Sequence, residues 1–177
     1  MAGHAHHNMT GMPALNTIAK GAGHTVADVQ FMQGMIAHHA QAIHMSKLAV
    51  TRGANPRLLR FAQKIDQSQD AEIVQMQGWL RAKGQVAPDT GSWRTIHMQG
   101  MLTPEQLASL DAARGREFDR QYLILMIQHH EGAIKMVADL FASPLAAQDV
   151  DVSVFANDVE VVQTAEIEVM KQMLAEF

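Results

Sequence analysis

The sequence predicts an all-α fold, a four-helix bundle built from two related helical hairpins. Three observations carry this: the chain repeats itself, helix start and stop signals bound each repeated block, and apolar residues recur within the blocks at helical spacing. Residues 28–45, DVQFMQGMIAHHAQAIHM, align with 119–136, DRQYLILMIQHHEGAIKM, and nine of eighteen positions are identical. A second block follows in each half. FAQKIDQSQDAEIVQMQGWL at 61–80 matches FANDVEVVQTAEIEVMKQML at 155–174 in eight of twenty positions. The offset between halves grows by three residues from the first block to the second, which places a small insertion in the second connecting loop.

Each element has its own signals. Thr25-x-x-Asp28 is a capping box, and Gly53 followed by Asn55-Pro56 is a stop and a restart. A first helix is expected over about 26–52 and a second over about 56–83, closed by Gly84. Thr103-Pro104-Glu105-Gln106 opens a third helical stretch that reaches Phe141 with a bend at Gly115, and Ser143-Pro144 closes it. A fourth helix runs from about 150 to the C-terminus. The expected organisation is a flexible His/Met-rich segment over 1–24 and one bundle domain over 25–177. Its repeats span about 25–84 and 116–177, joined by a linker at 85–103.

Composition narrows the function. The net charge is −4 with histidines neutral, and no long basic run occurs, so nucleic acid is not an expected partner. No apolar run is long enough to span a bilayer. The absence of cysteine excludes disulfide frameworks, thiolate catalysis and cysteine zinc sites. Thirteen methionines and ten histidines stand out. A protein that binds soft metals without thiols must use thioether and imidazole. These ligands form no disulfides, which suits an oxidising compartment such as a periplasm. The expected location is periplasmic or otherwise extracytoplasmic, after removal of a signal peptide.

The duplicated blocks carry the chemistry. A helix turns by about 100° per residue. Met35, His38, His39, Ala42 and Met45 therefore fall within an arc of about 120°, the width of a buried face. Met126, His129, His130, Ala133 and Met136 do the same in the second half. Thioether selects Cu(I) or silver over zinc, while imidazole accepts all three. Glu72 and Glu166 share the inward faces of the second and fourth helices. They are suited to accept the outer N–H of a histidine and fix its tautomer. A lone methionine on such a face is ordinary core filler, and a lone histidine is usually a hydrogen-bonded core residue. Paired histidines, duplicated with their methionines at one spacing, favour metal ligation. His44 points away from this face and is expected to be solvated.

Two further clusters lie outside the repeat. His97-Met98-Gln99-Gly100-Met101 offers one imidazole and two thioethers, either as a Cu(I) site, as a cap over one in the bundle, or merely as a loop anchored by its methionines. If Met1 is removed, His4 stands third from a free amine. That arrangement chelates Cu(II) or Ni(II) in a square plane, unless the segment is simply a tail.

In MIAHHAQAIHM, HMQGML, FDRQYLILMIQHHEGAIKM and the two Gln-x-Ala-Glu-Ile-x-x-Met segments, the chain resembles the bacterial domain of unknown function numbered 305. That family includes periplasmic copper-binding proteins. The resemblance covers about residues 25–177 and implies a ferritin-like four-helix bundle, often exported, with some members binding Cu(I) or silver in copper tolerance.

The expected function is copper binding without catalysis, as a Cu(I) chaperone, buffer or resistance factor. The expected ligands are Met35, His38, His39, Met45, His97, Met98, Met101, Met126, His129, His130 and Met136. Silver is a further cargo, zinc a lesser one, and a copper-transfer protein a possible partner. The alternative is a ferritin-like di-iron or di-manganese oxidoreductase. Such sites want Glu-x-x-His on two helices. Here the residue three before each histidine is Met35, Ile36, Met126 or Ile127, so Asp28, Glu72, Asp119 and Glu166 would have to compensate.

Overall fold

The computed structural model describes residues 10–177 and is all-helical, with no strand among them. Five α-helices follow one another: α1 (Val26–Arg52), α2 (Pro56–Ala82), α3 (Pro104–Ala112), α4 (Gly115–Ala142) and α5 (Val150–Glu176), with a short 3-10 turn at Ser92–Arg94. The two hairpins α1–α2 and α4–α5 pack together chiefly through α1 against α4.

Capping residues set the starts. Thr25 and Asp28 form the reciprocal box at α1, and Thr103 with Gln106 forms a second at α3. The Asn55 side chain accepts from Arg57 and Leu58 ahead of Pro56, and Asp149 does the same for Asp151 and Val152 at α5. Gly84 has φ of +68° and lets the Gln85 N–H return to the Leu80 carbonyl, which closes α2. The extra residues of the second half sit between α4 and α5, where the changing repeat offset puts them.

Three expectations are corrected. The stretch from Thr103 to Phe141 is two helices, not one bent helix. Ala113 and Arg114 are extended, and Gly115 takes a positive φ that turns the chain into α4. Residues 10–24, expected to be loose, lie against the bundle. Leu15 and Ile18 pack on the core, and the backbone N–H and carbonyl of Asn16 both bond the Gln85 side chain. His44 is not solvated: it is half-buried and stacks on Trp93 at 4.8 Å between ring centres. The reason is that α1 has no free face. Every residue from Phe31 to Ile43 is buried, because the connection between α2 and α3 crosses the side that the hairpins leave open.

Two apolar clusters fill the interior at opposite ends of the α1–α4 contact. One takes Val29 to Ile43 of α1 with Ala133 to Leu140 of α4; the other takes Ala42 to Ala49 of α1 with Phe118 to Met126 of α4. The antiparallel crossing leaves a layer between them, and the histidine pairs occupy it.

Candidate metal centre

His38 and His39 lie mid-way along α1, and His129 and His130 mid-way along α4. All four side chains have 0% exposure. The His38 and His129 rings face each other with centres 3.7 Å apart. The His130 ring lies 6.4 Å from that of His129, and the His39 ring 6.4 Å from that of Phe155 on α5. His39 Nε2 is 2.5 Å from Glu72 Oε2, and His130 Nε2 is 2.9 Å from Glu166 Oε2. The internal repeat thus becomes a local symmetry in which each hairpin supplies one facing imidazole and one imidazole tied to its own carboxylate. Glu166 is buried and has Lys64 Nζ 3.8 Å from its other oxygen, while Glu72 is partly exposed.

The layer is electrostatically neutral at its centre. Burial holds His38 and His129 well below the usual imidazole pKa, and the neighbouring histidines push in the same direction. Nearby backbone carbonyls oppose that lowering only in part. Five buried ring nitrogens of the layer have no side-chain hydrogen-bond partner: Nδ1 of His38, His39 and His130, and both nitrogens of His129. The side-chain oxygens of Gln69 and Gln163, equivalent in the repeat, are buried and unpartnered too. Protein interiors rarely leave polar groups in this condition, so the cluster fits a bound cation that takes nitrogen lone pairs. Among the described residues no three His, Asp or Glu side chains are already gathered in metal-holding geometry. A metal here needs turned rings or sulfur donors as well.

The methionines flank the layer, but not as the repeat groups them. Met35 shares its apolar cluster with Met136, and Met45 shares the opposite one with Met126. Each side of the layer therefore receives thioethers from both hairpins. Met32 and Met76 join the first cluster, and Met170 and Met173 the second.

A strap formed by residues 96–102 covers the layer. His97 is exposed, and its N–H donates to the Thr10 carbonyl. Met98 packs over Gly34, Met101 is buried, and the Met101 sulfur accepts from the Met98 N–H at 3.2 Å. The Gln99 carbonyl lies 3.1 Å from His38 Nε2. The segment therefore caps the layer, and His97 is directed away from it. Gln41 clamps the strap by bonding both the N–H and the carbonyl of Leu102. On α4 the equivalent position is Gly132, where an added Cβ would lie 2.2 Å from the Gln99 carbonyl oxygen. Reading the side chains in sequence misses the Gln99 backbone carbonyl. The signal was the broken repeat, since Gln41 and Gly132 differ because both meet one strap. The N-terminal histidines His4, His6 and His7 lie outside the described residues.

Residues 28–174 match the family model for the domain of unknown function DUF305. The chain belongs to the DUF305 family. Its fold is that of a DUF305 fragment from Deinococcus radiodurans, at 29% identity and a TM-score of 0.75 over 87% of this chain and 99% of that one. A DUF305 protein of Streptomyces coelicolor, thought to be secreted, matches at 28% identity and a TM-score of 0.74 over 88% and 95% of the two chains. CopM in its Cu(I)-bound form matches at 27% identity and a TM-score of 0.67 over 84% and 96%. CopM structures with Cu(II) and with silver match as well. Over 55 residues, 31% of this chain, it is 44% identical to an uncharacterised protein of Acanthamoeba polyphaga mimivirus, and the match spans 36% of that protein's length. No helix among the described residues is long and apolar enough to cross a membrane.

Proposed function

We propose that this DUF305 protein binds copper as Cu(I), and silver, in the buried histidine layer, as an extracytoplasmic chaperone, buffer or resistance factor without catalytic activity. The observation that carries the reading is the set of five orphaned imidazole nitrogens between two methionine-bearing clusters. His38, His39, His129 and His130 supply nitrogen; Met35, Met45, Met126 and Met136 are placed to supply sulfur; Met98 and Met101 ride on the covering strap. Likeness to CopM, solved with copper and silver, supports the choice of ion. Likeness to the Streptomyces protein supports export.

The di-iron or di-manganese alternative has less support. Asp28 accepts from Thr25 and Ala147, and Asp119 accepts from Ala54 and Asn55, so both are consumed by loop N–H groups. Glu72 and Glu166 face the outer nitrogens of histidines.

Anaerobic competition titration tests the proposal. Cu(I) and Ag(I) should bind more tightly than Zn(II), and Met35→Leu/Met126→Leu should weaken Cu(I) while sparing the fold, because the replacement roughly conserves volume. Zinc outcompeting Cu(I), or an unchanged Cu(I) affinity in a variant lacking both His38 and His129, would refute it.

A further inference from the structure

The geometry points to a second binding site: a cavity between α1, α2 and the loop that follows α2 takes a small zwitterion, an apolar α-amino acid with free ammonium and carboxylate groups. No residue of the histidine layer lines this cavity, and the inference does not depend on the metal-binding reading.

The loop is held to the helices by its backbone. Gln33 Nε2 donates to the Val86 carbonyl at 2.9 Å, and Gln77 Nε2 donates to the Pro88 carbonyl at 2.8 Å. Asp89 Oδ1 accepts from the Gly91 N–H and shapes the turn that carries Trp93 and Arg94. The cavity between this turn and the helices has a volume of about 320 Å³, at the small end of the range for organic ligands. Buried Ala40 and Ile43 of α1 give it an apolar wall. The Trp93 ring stacks on His44, and the Arg94 guanidinium carbon lies 4.5 Å from the Trp93 ring centre. A guanidinium stacked in this way keeps its N–H donors in its own plane, available to a carboxylate. Lys47 of α1 adds a second cation, and Asp70 of α2 adds an acceptor. Among the described residues, none of these three side chains has a hydrogen bond or an ion pair. Opposite charges therefore line one cavity without closing on each other. A simple anion would face Asp70 and a simple cation would face Lys47 and Arg94, so the wall suits a ligand that carries both signs. Its carboxylate goes to Lys47 and Arg94, its ammonium to Asp70, and its side chain along Ala40 and Ile43. The internal repeat supports this assignment. His44, Lys47 and Asp70 correspond to Lys135, Ala138 and Thr164 of the second half. The halves thus agree in the histidine layer and differ at the residues around this cavity, which the loop closes against α1 and α2.

Titration of the metal-free full chain, labelled with ¹⁵N-tryptophan, by L-leucine tests the inference. The indole N–H resonances of Trp93 and Trp79 are followed. Trp79 donates to Asp149 and lies outside the cavity, so it serves as the internal reference for the fold. L-Leucine should shift Trp93 saturably and leave Trp79 in place. Two analogues separate the charges: 4-methylpentanoate lacks the ammonium, and 3-methylbutylamine lacks the carboxylate. Each should bind about tenfold more weakly or worse, the loss expected when a charge-assisted hydrogen bond is removed. Asp70→Asn should weaken L-leucine by a similar factor without weakening 4-methylpentanoate. Lys47→Gln/Arg94→Gln should weaken both. The absence of a saturable Trp93 shift up to about 10 mM, an affinity too low to select a ligand, overturns the inference. Equal binding of L-leucine and 4-methylpentanoate overturns it in favour of a plain anion site. Unchanged L-leucine affinity in Asp70→Asn, with Trp79 undisturbed, overturns it as well.

Discussion

A histidine sealed in an interior resists its own protonation, and His38 and His129 show the consequence. Their folded-state pKa values are pushed well below 6.5 by burial first and by neighbouring histidines second. In the unfolded chain both titrate near about 6.5. Above that value neither state binds the protons and the contribution to stability is complete. As pH falls below it, the unfolded chain takes up protons that the folded layer refuses, so stability is lost. The loss is on the order of 1.4 kcal/mol per pH unit for each ring. Denaturation of metal-free protein between pH 8 and 5 should therefore show a steep decline on the acid side. A variant with asparagine at both positions should decline less steeply. If the two slopes coincide, these rings are not neutral in the folded state. The same refusal of protons means that acid competes with copper at His38 and His129 only well below the pH at which free imidazole would lose it.

Secondary-structure elements hold the layer through backbone groups more than through side-chain pairs. Asp28 at the start of α1 reaches the loop before α5, while Asp119 near the start of α4 reaches the loop before α2. Each half thus braces the turn of the other, from equivalent positions of the repeat. Asp119→Ala leaves the Ala54 and Asn55 N–H groups without their acceptor and should cost about 1–3 kcal/mol in chemical denaturation. A cost below a few tenths would show that water replaces the carboxylate freely. The strap has a different lock. Gly100 has φ of +81° and sits against Gly132, so neither tolerates a side chain. Gly132→Ala should raise hydrogen exchange at the strap amides, including Met101 and Leu102, while leaving mid-helix amides of α2 and α5 protected. Unchanged exchange at the strap would mean that α4 yields instead.

Over the whole molecule, the crossed aspartates and the α1–α4 contact tie both hairpins to one interior. Thermal unfolding of the metal-free protein should be a single cooperative transition, the same by near-UV and far-UV circular dichroism. Two separated transitions would show that the halves fold independently. A ligand that binds only the folded chain adds about 2.7 kcal/mol at one hundred times its Kd. Ag(I) and Cu(I) should therefore raise the midpoint more than equimolar Zn(II). Replacing His4, His6 and His7 should leave most of that shift, since the proposed ligands belong to the buried layer and its flanking methionines. Loss of the whole shift on their removal would move the binding site to the N-terminal segment.

The sequence by itself determined the helices, the hairpin repeat and the inward histidines. These depend on local caps and on period-3.6 patterning, and a duplicated pattern reports the same face twice. Glu72 and Glu166 were legible as partners of the histidines for the same reason: each lies one helix away within its own hairpin. Tertiary structure alone decided how the methionines are shared. Helical spacing puts Met35 and Met45 on one face of α1 about 15 Å apart along its axis, and the antiparallel crossing of α1 and α4 pairs each with a methionine from the other half. It also decided the fate of His44, which a helical wheel sends to solvent and the Trp93 loop covers. The strap over the layer and the Gln99 carbonyl behind His38 belong to the same class. Each depends on a backbone segment distant in sequence meeting a helix where a glycine lets it approach, and no periodicity within one helix records such a meeting.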